Sequence, residues 1–252
     1  MNTGARIGVL GAGLALLAAF LCWGLRALPP FGAYPGPYGD IINAVGQAER
    51  NVTDMVTAVN FDYRAIDTVG EEFILFISVA GVAVVLRRTR EEHAAEDHGD
   101  ADRPGVPGPP MSDAVRAVTL LLVGPIVLLG VYVVAHGQLS PGGGFQGGVI
   151  LASALLLLYL ADRYRRMRRI GPRSIAEIGD ALGAAGFVII GLAALIGGAA
   201  FLTDVLPLGA SSTLTAGGTI PLVSFSIGLE VAGAFVVILS EFLAQARETS
   251  SQ

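Results

Sequence analysis

The sequence predicts an all-α polytopic membrane protein with about six transmembrane helices and both termini in the cytoplasm. Three observations carry this. Hydrophobic residues make up 53% of the 252 and charged residues 15%, with a mean hydropathy of +0.64, a balance foreign to a soluble domain of this length. The apolar residues fall into runs of about 20, the length that crosses a bilayer as helix. Strand alternation is absent, and helices satisfy every backbone group internally where no water can.

The first span is Ile7–Leu28. Its apolar part, Ile7 to Leu25, is too long for the core of a signal peptide and no A-x-A site follows, so it reads as an anchor that stays. Loop 29–65 opens on the turn-rich PPFGAYPGPYGD. IINAVGQAERNVTDMVTAVN then places Ile41, Ala44, Ala48, Val52, Met55 and Val59 near helical spacing, predicting an amphipathic helix on the membrane or on a partner. The second span is Ile66–Leu86. Residues 88–112 are acidic and rich in Pro and Gly, the composition of a flexible linker; His93 and His98 there have no fixed scaffold to hold a metal. The remaining spans are Ala117–Ala135, Phe145–Ala161, Ala181–Leu202 and Ile220–Phe242. The expected organisation is therefore a two-helix part, 1–87, the linker 88–112, and a four-helix part, 113–247.

Arginines set the orientation. With both termini inside, 13 of the 16 fall on the cytoplasmic side, leaving Arg26, Arg50 and Arg64 outside. RYRRMRR at 163–169 is accordingly a topology signal. The chain has no lysine. Its one cysteine, Cys22, reads as a buried apolar thiol; it excludes an internal disulfide and any CxxC metal site. Nothing points to nucleic acid, a metal or a cofactor. No nucleophile–base pair is visible, so no catalytic residue is assigned and the chain is not read as an enzyme.

Ionisable residues inside a membrane are costly and are functional candidates by default. Asp67 and Glu71 are i and i+4 on the second span and share a face, with Arg64 continuing the stripe. They fit either a cation or proton path or an interfacial cap neutralised by Arg64. Glu230 lies about ten residues from either end of the last span, near the bilayer centre, and must face protein or water. It fits an ion path or a structural hydrogen bond to another subunit. Glu177 and Asp180 sit at the expected cytoplasmic start of the fifth span, where negative charge suits the helix dipole, and Asp204 at its outer end. HGQLSPGGGFQGGVIL, from His136, interrupts two apolar runs. His136 opens the stretch, Pro141 stops a helix, and Gly142, Gly143 and Gly144 permit irregular backbone suited to a cavity lining or a subunit contact. It is not a phosphate loop, having no GK[ST].

HGQLSPGGGFQGGVILASALLLL resembles the signature of the B subunit of Mrp-type multisubunit sodium/proton antiporters. LGASSTLTAGGTIPLVSFSIGLEVAGAF is similar to that family's final helices, so the resemblance covers about residues 114–245. DYRAIDTVGEEFILFISVAGVAVVL resembles the DFRGFDTLGE region in the tail of the large A subunit, a module that related hydrogenases carry as a small separate subunit. Ala65 and Ile66 stand where that pattern has glycine and phenylalanine. The chain thus resembles an A-subunit tail fused to a B subunit.

The resemblance implies an accessory subunit in the cell membrane, in a complex that exchanges cytoplasmic sodium for external protons. Its partners are then the large antiporter-like subunits, small membrane subunits and the bilayer, with Na+ and H+ as transported ions and no cofactor. The large subunits move protons with lysine and glutamate, so this lysine-free chain is not one of them. By motif, Asp67, Gly70 and Glu71 match the A-tail pattern; His136, Pro141, Gly142, Gly143, Gly144, Phe145 and Gln146 match the B signature. Two alternatives remain open: a subunit of an energy-converting hydrogenase or related redox-driven pump, and a purely structural adaptor.

Overall fold

The computed structural model describes residues 3–26, 28–33, 36–86, 112–170 and 173–249, without the side chains of residues 3, 160–170 and 244–249. Residues 88–111 of the expected linker, with His93 and His98, lie outside the described residues, as do the side chains of the arginine run at 163–169. The described regular structure is helical throughout.

Residues 1–42 and 43–252 form two compact units. In the first, α1 (Thr3–Leu25) is exposed along its apolar length. Cys22, expected as a buried thiol, is exposed on it, because no second helix of that unit covers it. α2 (Tyr38–Arg50) begins in the first unit and ends in the second.

The amphipathic helix expected to reach Val59 breaks after Arg50. Asn51 takes φ 57°, a left-handed conformation that asparagine tolerates better than most side chains, and its amide donates to Gly209 O at 3.0 Å. A short α3 (Met55–Ala58) follows, capped by the Asp54 carboxylate, and passes through a π-turn over 59–63 into α4 (Ala65–Val85). α5 (Asp113–Ala135) starts on the Ser112 hydroxyl, which accepts from Val115 N. α6 (Gly144–Ile170) is apolar through Ala161 by sequence, with Gly144–Tyr159 the part whose side chains are described, before the arginine run carries the helix onward. α7 is Arg173–Ile196, and α8 is Ile220–Thr249. Five helices are long and apolar enough to cross a membrane, α1, α4, α5, α7 and α8, and α6 is the shorter sixth.

The fifth span differs from expectation: it begins eight residues before Ala181 and ends six before Leu202. Its charged first turns are helical because Arg173 pairs with Glu177 at 2.6 Å. Its end is a glycine stop: Gly198, at φ 77°, donates to Leu195 O and Ala199 N reaches back to Ala194 O, the paired bonds of a left-handed C-cap.

α8 is the hub of the second unit, packing against α4, α5, α6 and α7. Val223, Ile227 and Val231 meet Val69, Phe187 and Phe61 in one core cluster; Ala234 and Val237 meet Val79, Ala152 and Ala176 in another. The loops that carry Thr53, Gln138 and Leu214 gather at one end. Gln138 O accepts from Thr53 N, and the Gln138 amide donates to Leu214 O at 2.7 Å. Arg173 pairs with Glu241 elsewhere, seven helical residues before Asp180. This clustering matches the in–out alternation that the arginines predict for α4 to α8.

Candidate functional site

The glycine-rich turn is built for packing within the chain. A Cβ at Gly144 would strike Ser224 O and stand 2.7 Å from Ile227 Cβ; one at Gly148 would stand 2.8 Å from Val231 Cβ. α6 and α8 therefore touch backbone to side-chain root. Gly143 is buried at φ 124° beside Phe61, and its N–H donates to Val133 O at 3.1 Å. Gly142 packs against Val133. The turn answers a demand for close approach, with its backbone groups bonded inside the protein. His136 closes it: its carbonyl accepts from Leu139 N and Ser140 N, its ring stacks on Tyr132 at 4.7 Å, and Nδ1 meets Ser140 Oγ at 2.9 Å. Pro141, Phe145 and Gln146 are the exposed members of the signature.

α4 divides its acids between two faces. Its buried stripe is Ala65, Thr68, Val69, Glu72 and Val79. Asp67, Gly70 and Glu71 are exposed on the other side, where Asp67 forms an ion pair with Arg64. The acid that enters the bundle is Glu72, 4% exposed, a residue the sequence reading passed over. It meets Glu230 of α8, which is 0% exposed. Asp180 of α7, expected at the cytoplasmic helix start, is 6% exposed, and its backbone lies against Gly233 of α8, one turn beyond Glu230. The early start of α7 moves Asp180 two turns into the helix. The missed signal was the stripe itself: Glu72 falls in helical phase with Val69 and Val79, and Glu71 does not.

Glycines hold α7 and α8 close. A Cβ on Gly183 of α7 would stand 2.5 Å from Glu230 Cβ, and one on Gly233 of α8 would stand 2.5 Å from Asp180 N. Each acid is thus faced by a glycine of the other helix. At 1.5 Å per residue, Glu230 lies about 15 Å along α8, half of a hydrocarbon core roughly 30 Å thick. Neither oxygen of Glu230, nor Glu72 Oε2, nor Asp180 Oδ1, has a hydrogen-bond partner among the described residues. Glu72 and Glu230 are buried where Val69 of α4 packs with Ile227 and Val231 of α8, yet an ionised carboxylate only accepts. A bond between them needs a proton.

Toward the loop end, Thr68 lies one turn before Glu72 and donates to Asn60 O at 2.8 Å. Beyond it a cavity of about 540 Å³ opens at the start of α4, lined in part by Arg50, Asp62, Tyr63, Arg64 and Asp204. Arg50 pairs with Asp62 there, and Asp204 ties its loop to α8 by accepting from Thr219 N at 3.1 Å. Among the described residues no three His, Cys, Asp or Glu side chains converge as metal ligands.

Residues 114–237 match the model of a family described as a domain related to the MnhB subunit of Na+/H+ antiporter. The chain is similar over 95% of its length to 98% of a chain of the membrane-bound sulfane sulfur reductase, an archaeal respiratory membrane complex, with 30% identity and a TM-score of 0.69. It is 34% identical over 89 residues to the Na+/H+ antiporter B subunit of Bacillus subtilis, a match spanning 35% of this chain and 62% of that relative. Its fold also matches, with a TM-score of 0.66 and 21% identity, 26% of a longer chain in the Mrp complex of Dietzia sp. DQ12-45-1b, covering 96% of this chain.

Proposed function

The chain belongs to the family of domains related to the MnhB subunit of Na+/H+ antiporters, and from that premise we propose that it lends the complex part of its ion path. It is a multi-pass membrane subunit of a multisubunit, antiporter-like complex. The observation that carries the proposal is the burial of Glu72, Asp180 and Glu230 on the packed faces of three helices, with carboxyl oxygens left unpartnered among the described residues. A single charge there costs about 3 kcal/mol by insertion scales, too much to keep without use. The exchanged ions are Na+ and H+. Asp67 and Glu71, on the exposed face of α4, extend the path toward neighbouring subunits, since a carboxylate inside a span does not face lipid. The part up to α4 corresponds to the A-subunit tail and the rest to a B subunit. The Dietzia likeness supports this, because one longer polypeptide there holds the fold of both parts.

A second reading has its own support. Likeness to the sulfane sulfur reductase chain runs over nearly the whole length, which favours a complex driven by a redox reaction. Co-purification of an iron–sulfur or nickel subunit with this chain separates the two.

The test is Na+-dependent proton exchange in vesicles carrying the whole complex with Glu230→Gln, with assembly followed on native gels. The expected result is lost exchange in an assembled complex. Normal exchange in an assembled complex overturns the ion-path reading. A complex that falls apart favours a structural adaptor.

A further inference from the structure

We propose that Glu72 and Glu230 are a proton-binding pair, one hydrogen ion held between two carboxyl groups where α4 meets α8, and that no sodium ion occupies this position. The inference rests on the ion-path reading of the cluster and names its ligand.

Charge comes first. The groups whose charges act on the pair are themselves acidic: Glu71 beside Glu72 on α4, and Asp180 on α7. The face that α6 packs on α8 is apolar or glycine at Gly144, Gly148 and Ala152. Arg64 is engaged by Asp67, and Arg173 by Glu177 and Glu241. Among the described residues none of the ion pairs of Arg50, Arg64 and Arg173 joins an arginine to either glutamate, and the chain has no lysine. A cation bound there offsets one of the two carboxylate charges.

Space then chooses between cations. A hard metal ion takes a shell of converging oxygens. Among the described residues no three acidic side chains converge in that way. The backbone of α7 at Gly183 lies directly on the root of Glu230, so the shell has no room on that side. A proton needs only two carboxyl groups facing each other, which Glu72 and Glu230 supply as buried neighbours of the contact where Val69 packs on Ile227 and Val231. The step is simple in balance: two carboxylates and one hydrogen ion become a hydrogen-bonded acid–carboxylate pair, and release is the reverse.

The position gives the pair a role. Glu72 belongs to the segment with the DTVGE motif, and Glu230 to the residues matched by the family model. A proton between them ties the two parts of the chain when bound and loosens them when lost. Thr68 and the outer cavity lie to one side of the pair; Asp180 and the Arg173–Glu241 pair lie to the other.

Infrared spectroscopy on the purified whole complex in lipid tests this directly. The wild type is expected to show a protonated-carboxyl carbonyl band that shifts in D2O. The band is lost in Glu72→Gln/Glu230→Gln, persists in the exposed control Glu177→Gln, and moves in Glu72→Asp, which keeps the carboxyl group should the double variant not assemble. Saturating Na+ at fixed pH is expected to leave the band unchanged. A band that survives the double substitution, that stays unmoved in Glu72→Asp, or that Na+ bleaches overturns the proposal. The readout is the bound proton, so failure of Na+/H+ exchange leaves this result standing on its own.

Discussion

Gly183→Ala is the sharpest probe of the site's construction. The added Cβ would stand 2.5 Å from Glu230 Cβ and 2.6 Å from Glu230 Cα, where ordinary contact begins at 3.4 Å. α7 must withdraw from α8 by nearly 1 Å at this point. Phe187, one turn on and 1% exposed, would lose packing with it. Overpacking of this kind costs about 1–3 kcal/mol. Alanine's better helix propensity returns at most ~1 kcal/mol. The net expectation is a loss of about 0–2 kcal/mol. Gly179→Ala, one turn earlier on α7, is the matched control. Its Cβ would meet Leu229 Cδ1 at 3.5 Å, an ordinary contact, so the propensity gain of up to ~1 kcal/mol stands alone. The two variants make the same chemical change on one helix with opposite expected signs. Unfolding titrations and melting of the purified complex measure the gap, expected at roughly 1–3 kcal/mol because the propensity gain is common to both. Variants equal within ~0.5 kcal/mol would refute the close approach of α7 and α8, and with it the placement of Asp180 near Glu230.

Other expectations follow from single contacts. Gln138→Leu removes the buried amide that donates to Leu214 O at 2.7 Å; stranding that carbonyl costs about 1–3 kcal/mol, and limited proteolysis should cut the loop between α7 and α8 faster. Glu71→Leu, on the exposed face of α4, should shift the melting of the isolated chain by no more than ~0.5 kcal/mol yet weaken the assembled complex on native gels; unchanged assembly would show that this face meets no partner there.

The spans were legible because hydropathy over about 20 residues is a strong signal, and Glu230 because its depth in a span is countable. The errors arose where a charge was read as an edge. Glu177 and Asp180 pushed the expected start of the fifth span to Ala181, but Arg173 pairs with Glu177 and the helix runs on beneath them. Asp67 and Glu71 drew notice because they share a face, and Glu72 beside them went unremarked. In a span that spacing does not say which face meets protein. The phase of Val69, Glu72 and Val79 does, and only once a neighbour is known to lie there. The glycine turn was expected to line a cavity or meet a partner. Glycine marks closeness without naming what is close, and here it is largely α8.

Packing and charge at this site are separable, and that decides how a defect should be read. Gly183 lies against Glu230, and Gly233 against Asp180, so each helix gives a glycine where the other gives an acid. The acids are not needed for that closeness, since the contacts are to backbone and Cβ. The glycines add no charge. Glutamine at Glu230 keeps the shape and supplies the hydrogen-bond donor the pair lacks, so the α7–α8 contact should hold while proton release stops. Alanine at Gly183 keeps the charge and forces the helices apart. If the carboxyl groups were only structural, the glutamine variant would exchange ions as before and only the alanine variant would fail. If they carry the proton, both lose exchange, and only the alanine variant loses stability as well.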